Sequence, residues 1–345
     1  MLDITKPPGS ARPIADSVFT AQKQCTAAAP STQSRHTGLM GFAEFMERAL
    51  YDPEHGFYES GQAGRRGGHF ITSPEVGPLF GAVVGRMLDH RWDDLGRPDP
   101  FTVVDAGAGP GTLARTVAKA EPHCMPALRW INVERSAAGR SSHTVGQSAR
   151  AMPEGPITGV IVANELLDNL PLRLFDTNGR EVGEDPASPD ARLTPRQDQA
   201  CTWLAQALSF LDRGTVVVID YMSTTEKMAT RPWPEWLRTY RGHERGEDPW
   251  TAPGSQDITC EVALDQLAAM CPPTRVNSQA EWLRVHGIDE LVDEGAAAWR
   301  AGAVRGDLAA LTGRSRTIEA EALLDPAGLG GFTVAEWDVP VPQGD

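Results

Sequence analysis

From Phe101 onward the chain alternates apolar runs with helical segments, and this rhythm restricts the fold more than any other feature of its 345 residues. "FTVVDAG", "LRWINVE", "ITGVIVANE" and "GTVVVIDY" read as strands, and "TLARTVAKA" and "ACTWLAQALSFL" as helices. Strands that alternate with helices imply an α/β protein with a mostly parallel, doubly wound sheet. "GFTVAEWDVPV" offers a last strand near the end of the chain.

The segments before Phe101 are of a different kind. Residues 1–38 are rich in Ala, Ser, Thr, Pro and Gln without periodicity, and are expected to form a disordered tail. Residues 39–98 are expected to form a helical extension. Phe42, Phe45, Met46 and Ala49 fall at helical spacing until Asp52-Pro53 stops them, and Pro78 to Trp92 reads as a second helix. Residues 99–345 then hold the α/β domain. An insertion is expected after the fifth strand, at about 222–285, because the stretch after Tyr221 is too long for an ordinary connection.

Composition narrows the partners. A net charge of −14 repels a phosphate backbone, so nucleic acid is not expected, and basic peptides or cationic small molecules are favoured. No run of eighteen apolar residues is present, so no membrane span is expected. Five scattered cysteines without a CxxC argue against a disulfide framework or a metal site. They point instead to a reducing, cytoplasmic setting. Nothing in the sequence indicates the oligomeric state.

Two motifs carry chemistry. "VVDAGAGPGTLA" places Asp105, Gly107, Gly109 and Gly111 at a strand-to-helix turn. The glycines let a ligand approach the backbone, and the helix beyond offers free N–H groups. The spacing is G-x-G-x-G, not the G-x-G-x-x-G of dinucleotide sites. Glu134, ending the next strand, is suited to accept hydrogen bonds from both hydroxyls of a ribose. In "VIVANELLDNLP" an apolar strand runs into Asn164, Glu165 and Asp168. In open α/β sheets ligands bind beyond the carboxyl ends of the strands, so these side chains are candidate catalytic residues. The plainer readings are a solvated loop and, for Asp168, a helix cap. Thr72, Ser73 and Glu75 either fold over a cofactor or simply begin a helix. Tyr240, His243 and Asp257 are candidates for an acceptor channel, and His69 for a base or loop anchor.

These blocks together resemble the MidA-like S-adenosylmethionine-dependent methyltransferases. The resemblance rests on "FAEFMERALYDPEHGFY", "GHFITSPEVGPLFG", "DAGAGPGTL", "NVERS", "ANELLDNLP", "VVIDYM", "WLRTYRGH" and "GSQDITCEV", which occur in the family's order. It implies a Rossmann-like class I methyltransferase fold for residues 99–345 and S-adenosyl-L-methionine as cofactor. Asp105, Gly107, Gly109, Gly111, Glu134, Thr72, Ser73 and Glu75 would bind that cofactor, and Glu165, Asp168 and Asn164 would act on the acceptor. It further implies an arginine-containing protein as methyl acceptor. His69, Ala108, Pro110, Leu166, Leu167, Asn169, Met222 and Glu261 depart from the family pattern. Several lie on the acceptor side, so a small-molecule acceptor and a non-catalytic assembly factor remain as alternatives. A nicotinamide dehydrogenase is disfavoured by the glycine spacing.

Overall fold

The computed structural model describes residues 40–59, 72–183, 187–242, 244–303 and 307–340. The expected tail, His69 and His243 lie outside the described residues. Seven strands form the central sheet: β1 (Phe101–Ala106), β2 (Leu128–Val133), β3 (Gln147–Ala149), β4 (Ile157–Asn164), β5 (Leu211–Asp220), β6 (Arg275–Ser278) and β7 (Thr333–Val339). Their order is β6-β7-β5-β4-β1-β2-β3. β3, β2, β1, β4 and β5 run parallel, and β7 is antiparallel to both β5 and β6. The segment expected as an insertion at about 222–285 therefore returns Arg275–Ser278 to the edge of the main sheet.

The central strands are buried on both sides because apolar residues stand on both of their faces. Val103, Val160, Val162, Val217 and Ile219 pack on one face against helices α3 (Pro78–Asp94) and α4 (Thr112–Ala120). Val104, Ile161, Ala163, Val216 and Val218 pack on the other against α5 (Asp198–Phe210). Parallel sheets need such cover, since their crossover helices lie on both faces. Gly159 and Gly214 stand side by side in β4 and β5, where a Cβ on either would fall 1.9 or 1.8 Å from a neighbouring carbonyl oxygen.

A third core lies outside the sheet. Helix α1 (Phe42–Tyr51) buries Phe42, Met46 and Leu50 against Leu172, Leu174, Trp236, Leu237 and Ile258. Those partners lie on, or immediately before, the strands of small antiparallel sheets, one of Arg173–Phe175, Glu181–Val182 and Thr194–Arg196, the other of Leu237–Arg241, Glu244–Arg245 and Asp257–Cys260. The short helix α2 (Ser73–Val76) precedes α3. Helices α6 (Gln279–Val285), α7 (Ile288–Gly302) and α8 (Leu308–Leu324) follow β6.

Strand order reverses between β1 and β4, so their carboxyl-end loops diverge around a crevice. The glycine turn after β1 and the acidic segment after β4 flank that crevice. They touch closely enough that a Cβ on Gly107 would meet Leu166 Cδ1 at 3.0 Å.

Candidate active site

The turn after β1 is built from left-handed glycines. Gly107, Gly109 and Gly111 have φ of 74°, 50° and 73°, values that a side chain disfavours. Gly107 and Ala108 both donate to the Val133 carbonyl, which ties the turn to the end of β2. Glu134 then reaches back. Its Oε2 accepts from the Gly109 N–H at 2.9 Å and its Oε1 from the Ser136 N–H at 2.7 Å. A carboxylate has about four lone-pair sites, so each oxygen retains capacity for a ligand hydroxyl. Burial raises the Glu134 pKa, and those backbone donors oppose the rise. His143, which sequence reasoning passed over, bridges the Gly109 carbonyl and Ser148 through its two ring nitrogens, at 2.9 and 2.8 Å.

Asp105 ends this side of the crevice. It is buried, its Oδ2 has no partner, and burial with the nearby Glu134 charge pushes its pKa to about 7. A recess of about 210 Å³ opens beside Glu134, lined by Tyr51, Glu59, Arg135, Arg140 and Arg150 among others. A larger one, of about 370 Å³ among Thr102, Arg129, Thr158 and Arg213, is at the opposite, amino-terminal edge of the sheet. Size is the weaker guide here, because the chemistry of an open α/β sheet gathers at its carboxyl edge.

The second wall of the crevice is acidic. Glu165 leaves β4 with a φ of 51°, an uncommon conformation for a residue with a side chain, and donates its N–H to the Ile219 carbonyl at 2.8 Å. Asn164 Nδ2 donates to Glu165 Oε1 at 3.1 Å, while Asn164 Oδ1 is buried without a partner. Burial and the Asp168 charge push the Glu165 pKa to about 8 against the Asn164 amide and the Ser73 N–H. Asp168 follows in the turn Leu167–Asn169. Its Oδ2 accepts from the Tyr221 hydroxyl, and its Oδ1 is buried without a partner. Its pKa rises to about 6 through burial, opposed by Tyr221.

Two further carboxylates complete the wall. Asp220, wholly buried at the end of β5, accepts from the N–H groups of Leu167 and Asp168 at 3.1 and 3.3 Å, so it shapes the turn that carries Asp168. Burial and then the Asp168 charge hold its pKa well above the usual carboxylate range. Asp257 accepts from Tyr58 and Asn169, both at 3.1 Å, and burial pushes it to about 7. Among the described residues no basic side chain offsets these four acids. Nor do three metal-binding side chains converge there on one point.

The remaining candidates fall into place around this wall. Thr72 and Glu75 form a capping box at the start of α2, and the Ser73 hydroxyl is taken up by Gln279 at 2.9 Å. It is the Ser73 backbone that faces Glu165. Tyr240 pairs in register with Asp257. Glu261 is clamped by Arg231 and Arg238. Asp220, Tyr221, Tyr51 and Tyr58 lie in blocks that carry the resemblance, but the sequence assigned them no role at the site. The acid closing the apolar run "VVVID" was the available signal for the first two.

The raised carboxyl pKa values set a pH dependence. Asp105, Asp257 and Glu165 keep protons in the folded chain that an unfolded chain loses near pH 4. Their contribution is complete below that pH and disappears as pH climbs through about 7 and about 8. His286, held down to about 4 by burial, is neutral in the folded chain and already half deprotonated at about pH 6.5 in the unfolded one, so it opposes the trend only weakly above that pH. Thermal melts of the cofactor-free protein are expected to give a lower Tm at pH 8.5 than at pH 6.5. An unchanged or higher Tm would contradict the buried acids.

The family described as "Putative S-adenosyl-L-methionine-dependent methyltransferase" matches residues 83–191 and 196–280, more than half of the chain. The chain belongs to this family. A protein from Burkholderia thailandensis, solved with S-adenosyl-homocysteine bound, superposes with a TM-score of 0.70 at 24% identity, over 97% of this chain and 96% of that one. It shares the fold, which is the Rossmann-like methyltransferase fold that the resemblance implied.

Among curated proteins, the mitochondrial arginine methyltransferase NDUFAF7 of Rattus norvegicus is 33% identical over 74% of this chain and 72% of its own length. The Drosophila melanogaster NDUFAF7 homolog is 27% identical, and the chain spans 65% of its length. As a family member the chain is an S-adenosylmethionine-dependent methyltransferase. The cytoplasmic location expected from the cysteines is overturned, because these relatives and those from Danio rerio and Mus musculus are named as mitochondrial. Unpaired cysteines report a reducing interior and not which compartment supplies it.

The residues after β1 and β2 suit this cofactor. Asp105 has a buried oxygen awaiting a donor, a Cβ on Gly109 would meet only open space, and Glu134 closes the turn from the far side.

Proposed function

We propose that this methyltransferase acts on the guanidinium group of an arginine side chain in a protein. The observation that carries the reading is the wall of buried Asp168 and Asp220 and half-buried Glu165 and Asp257, which has no cation of its own among the described residues. Buried charges need partners, and a planar cation with several N–H donors answers two carboxylates and an amide at once. The orphaned Asp168 Oδ1 and Asn164 Oδ1 are the acceptors such a group would satisfy. The names of the fly and rat relatives agree with this acceptor class.

Asp105, Gly107, Gly109, Gly111 and Glu134 hold the cofactor in this scheme, Asp105 taking its ammonium group and Glu134 its ribose. Thr72, Ser73 and Glu75 support the crevice from α2. When bound, the cofactor supplies a methyl group on a sulfonium. Glu165 would grip two guanidinium N–H groups, orient the third nitrogen toward a methyl group whose sulfur would keep the bonding pair, and take the proton that this nitrogen loses on methylation. A base near neutrality suits that transfer, and alignment supplies much of the rate. Asp168, fixed by Tyr221, adds a second charge.

The test is mass spectrometry of arginine-, lysine- and alanine-substituted forms of one peptide, incubated with protein and S-adenosylmethionine. Methylation confined to the arginine form is the expected result. A small cationic acceptor is the second reading, favoured by Tyr51 and Tyr58, which crowd the acidic wall from outside the sheet at Asn169 and Asp257. Turnover of free guanidines with none on any peptide would select it. Binding of S-adenosylhomocysteine without turnover of either would favour the assembly factor. Glu134→Ala is expected to weaken S-adenosylhomocysteine about ten- to a hundredfold by calorimetry, through loss of charged hydrogen bonds. Unchanged affinity would remove Glu134 from the cofactor site.

A further inference from the structure

Helix α8 is apolar on two opposite faces. Ala310, Gly313, Ala320 and Leu323 turn inward, and Gly313 meets Gly295 of α7 at backbone distance. Leu308, Leu311 and Ile318 point away and are 80%, 51% and 61% exposed. With Ser315 and Ala322 they make a stripe whose positions advance by three and four residues, the spacing of a coiled-coil seam. An ordinary surface helix has one apolar stripe, directed at the core. A second one in the open marks an interaction surface.

We infer that this face docks a second copy of the chain, the two α8 helices lying antiparallel about a twofold axis. Such a seam is self-complementary, as an isologous interface must be. Setting Leu311 of one copy on Ala322 of the other also sets Ser315 on Ile318. The same register brings Arg314, on the flank of the stripe, beside Glu321 of the second copy, and symmetry repeats the pair. Flanking charges choose partner and orientation in such seams. A parallel arrangement would instead aim Arg314 at Glu319, whose carboxylate is turned inward onto the Leu79 N–H at 2.7 Å. The charges thus favour the antiparallel dimer. Arg314 rests over the Trp299 ring, 5.2 Å from its centre, which holds its stem at the rim of the seam.

The inference is independent of the acceptor, and its test reads mass, not activity. Sedimentation equilibrium of the full chain is expected to give a concentration-dependent dimer. The double variant Leu311→Glu/Ile318→Glu, altered only at exposed positions, is expected to raise the dimer dissociation constant at least about tenfold, with S-adenosylhomocysteine binding and thermal unfolding preserved. Arg314→Glu is expected to weaken the dimer, and adding Glu321→Arg to restore it. A wild-type monomer at every concentration would overturn the inference, whether the stripe then proves to be covered by the chain's own residues or by another protein. So would a dimer indifferent to Leu311→Glu/Ile318→Glu. Failure of Glu321→Arg to rescue Arg314→Glu would overturn the antiparallel register.

Discussion

Glu165→Gln is expected to lower kcat on an arginine peptide about 10²- to 10³-fold, the scale of losing one preorganised charged contact in a water-poor site. The replacement keeps the shape of the side chain and removes its charge. It can neither balance a guanidinium nor take the proton released when nitrogen is methylated. S-adenosylhomocysteine affinity is expected to stay within about twofold, because Asp105 and Glu134, proposed to hold the cofactor, lie on the other wall. The pH profile supplies a second signature. Burial pushes the Glu165 carboxyl of the free protein up to about 8, so wild-type kcat/KM is expected to rise with pH toward that value. The Gln variant is expected to lose that inflection. A variant within tenfold of wild type, or one that keeps the inflection, would exclude Glu165 as the acceptor carboxylate.

Gly159→Ala is expected to cost at least about 3 kcal/mol of stability, among the largest effects a single methyl can have. The added carbon would fall 1.9 Å from the Thr102 carbonyl oxygen, an atom of the β1 backbone that cannot move without opening the sheet. The φ of 152° at Gly159 compounds the strain, since few residues other than glycine reach that region. Domains hold about 5–15 kcal/mol in reserve, so the variant is expected to be partly unfolded or recovered insoluble. Urea unfolding of any soluble fraction measures the loss. A midpoint shift worth less than about 1 kcal/mol would mean that β1 and β4 are not in the register described here.

The sheet was legible in sequence where its strands are long and apolar. "FTVVDAG" and "ITGVIVANE" correspond to β1 and β4 almost residue for residue, because a strand buried on both faces shows as a continuous apolar run between turn residues. Edge strands gave no such signal. Gln147–Ala149 and Arg275–Ser278 are short and largely polar, and their pairing depends on neighbours far away in sequence. Helix α8 was also hidden, since apolar residues on opposite faces cancel the helical period by which a helix is recognised. At the site, the acids after β1, β2 and β4 could be read from strand ends. Asp257 entered only as one candidate among several in an irregular stretch. Tyr51 and Tyr58 gave no warning, because an aromatic at a helix end or in the turn that follows reads as core. Only the folded chain brings them beside Asn169 and Asp257.

Tyr58 has a wider consequence. Its carbonyl accepts from the Ser136 hydroxyl, two residues beyond Glu134, while its own hydroxyl donates to Asp257 on the acidic wall. One residue from a segment that precedes the sheet therefore spans the donor and acceptor halves of the crevice. If the two walls act as proposed, the smallest catalytic unit is not the Rossmann-like domain by itself. A chain begun at Phe101 would contain every strand of the sheet, yet it would lack the rivet that holds the two walls at a fixed gap. Recombining this sheet with another protein's leader would be a poor route to a new methyltransferase unless Tyr51 and Tyr58 travelled with it.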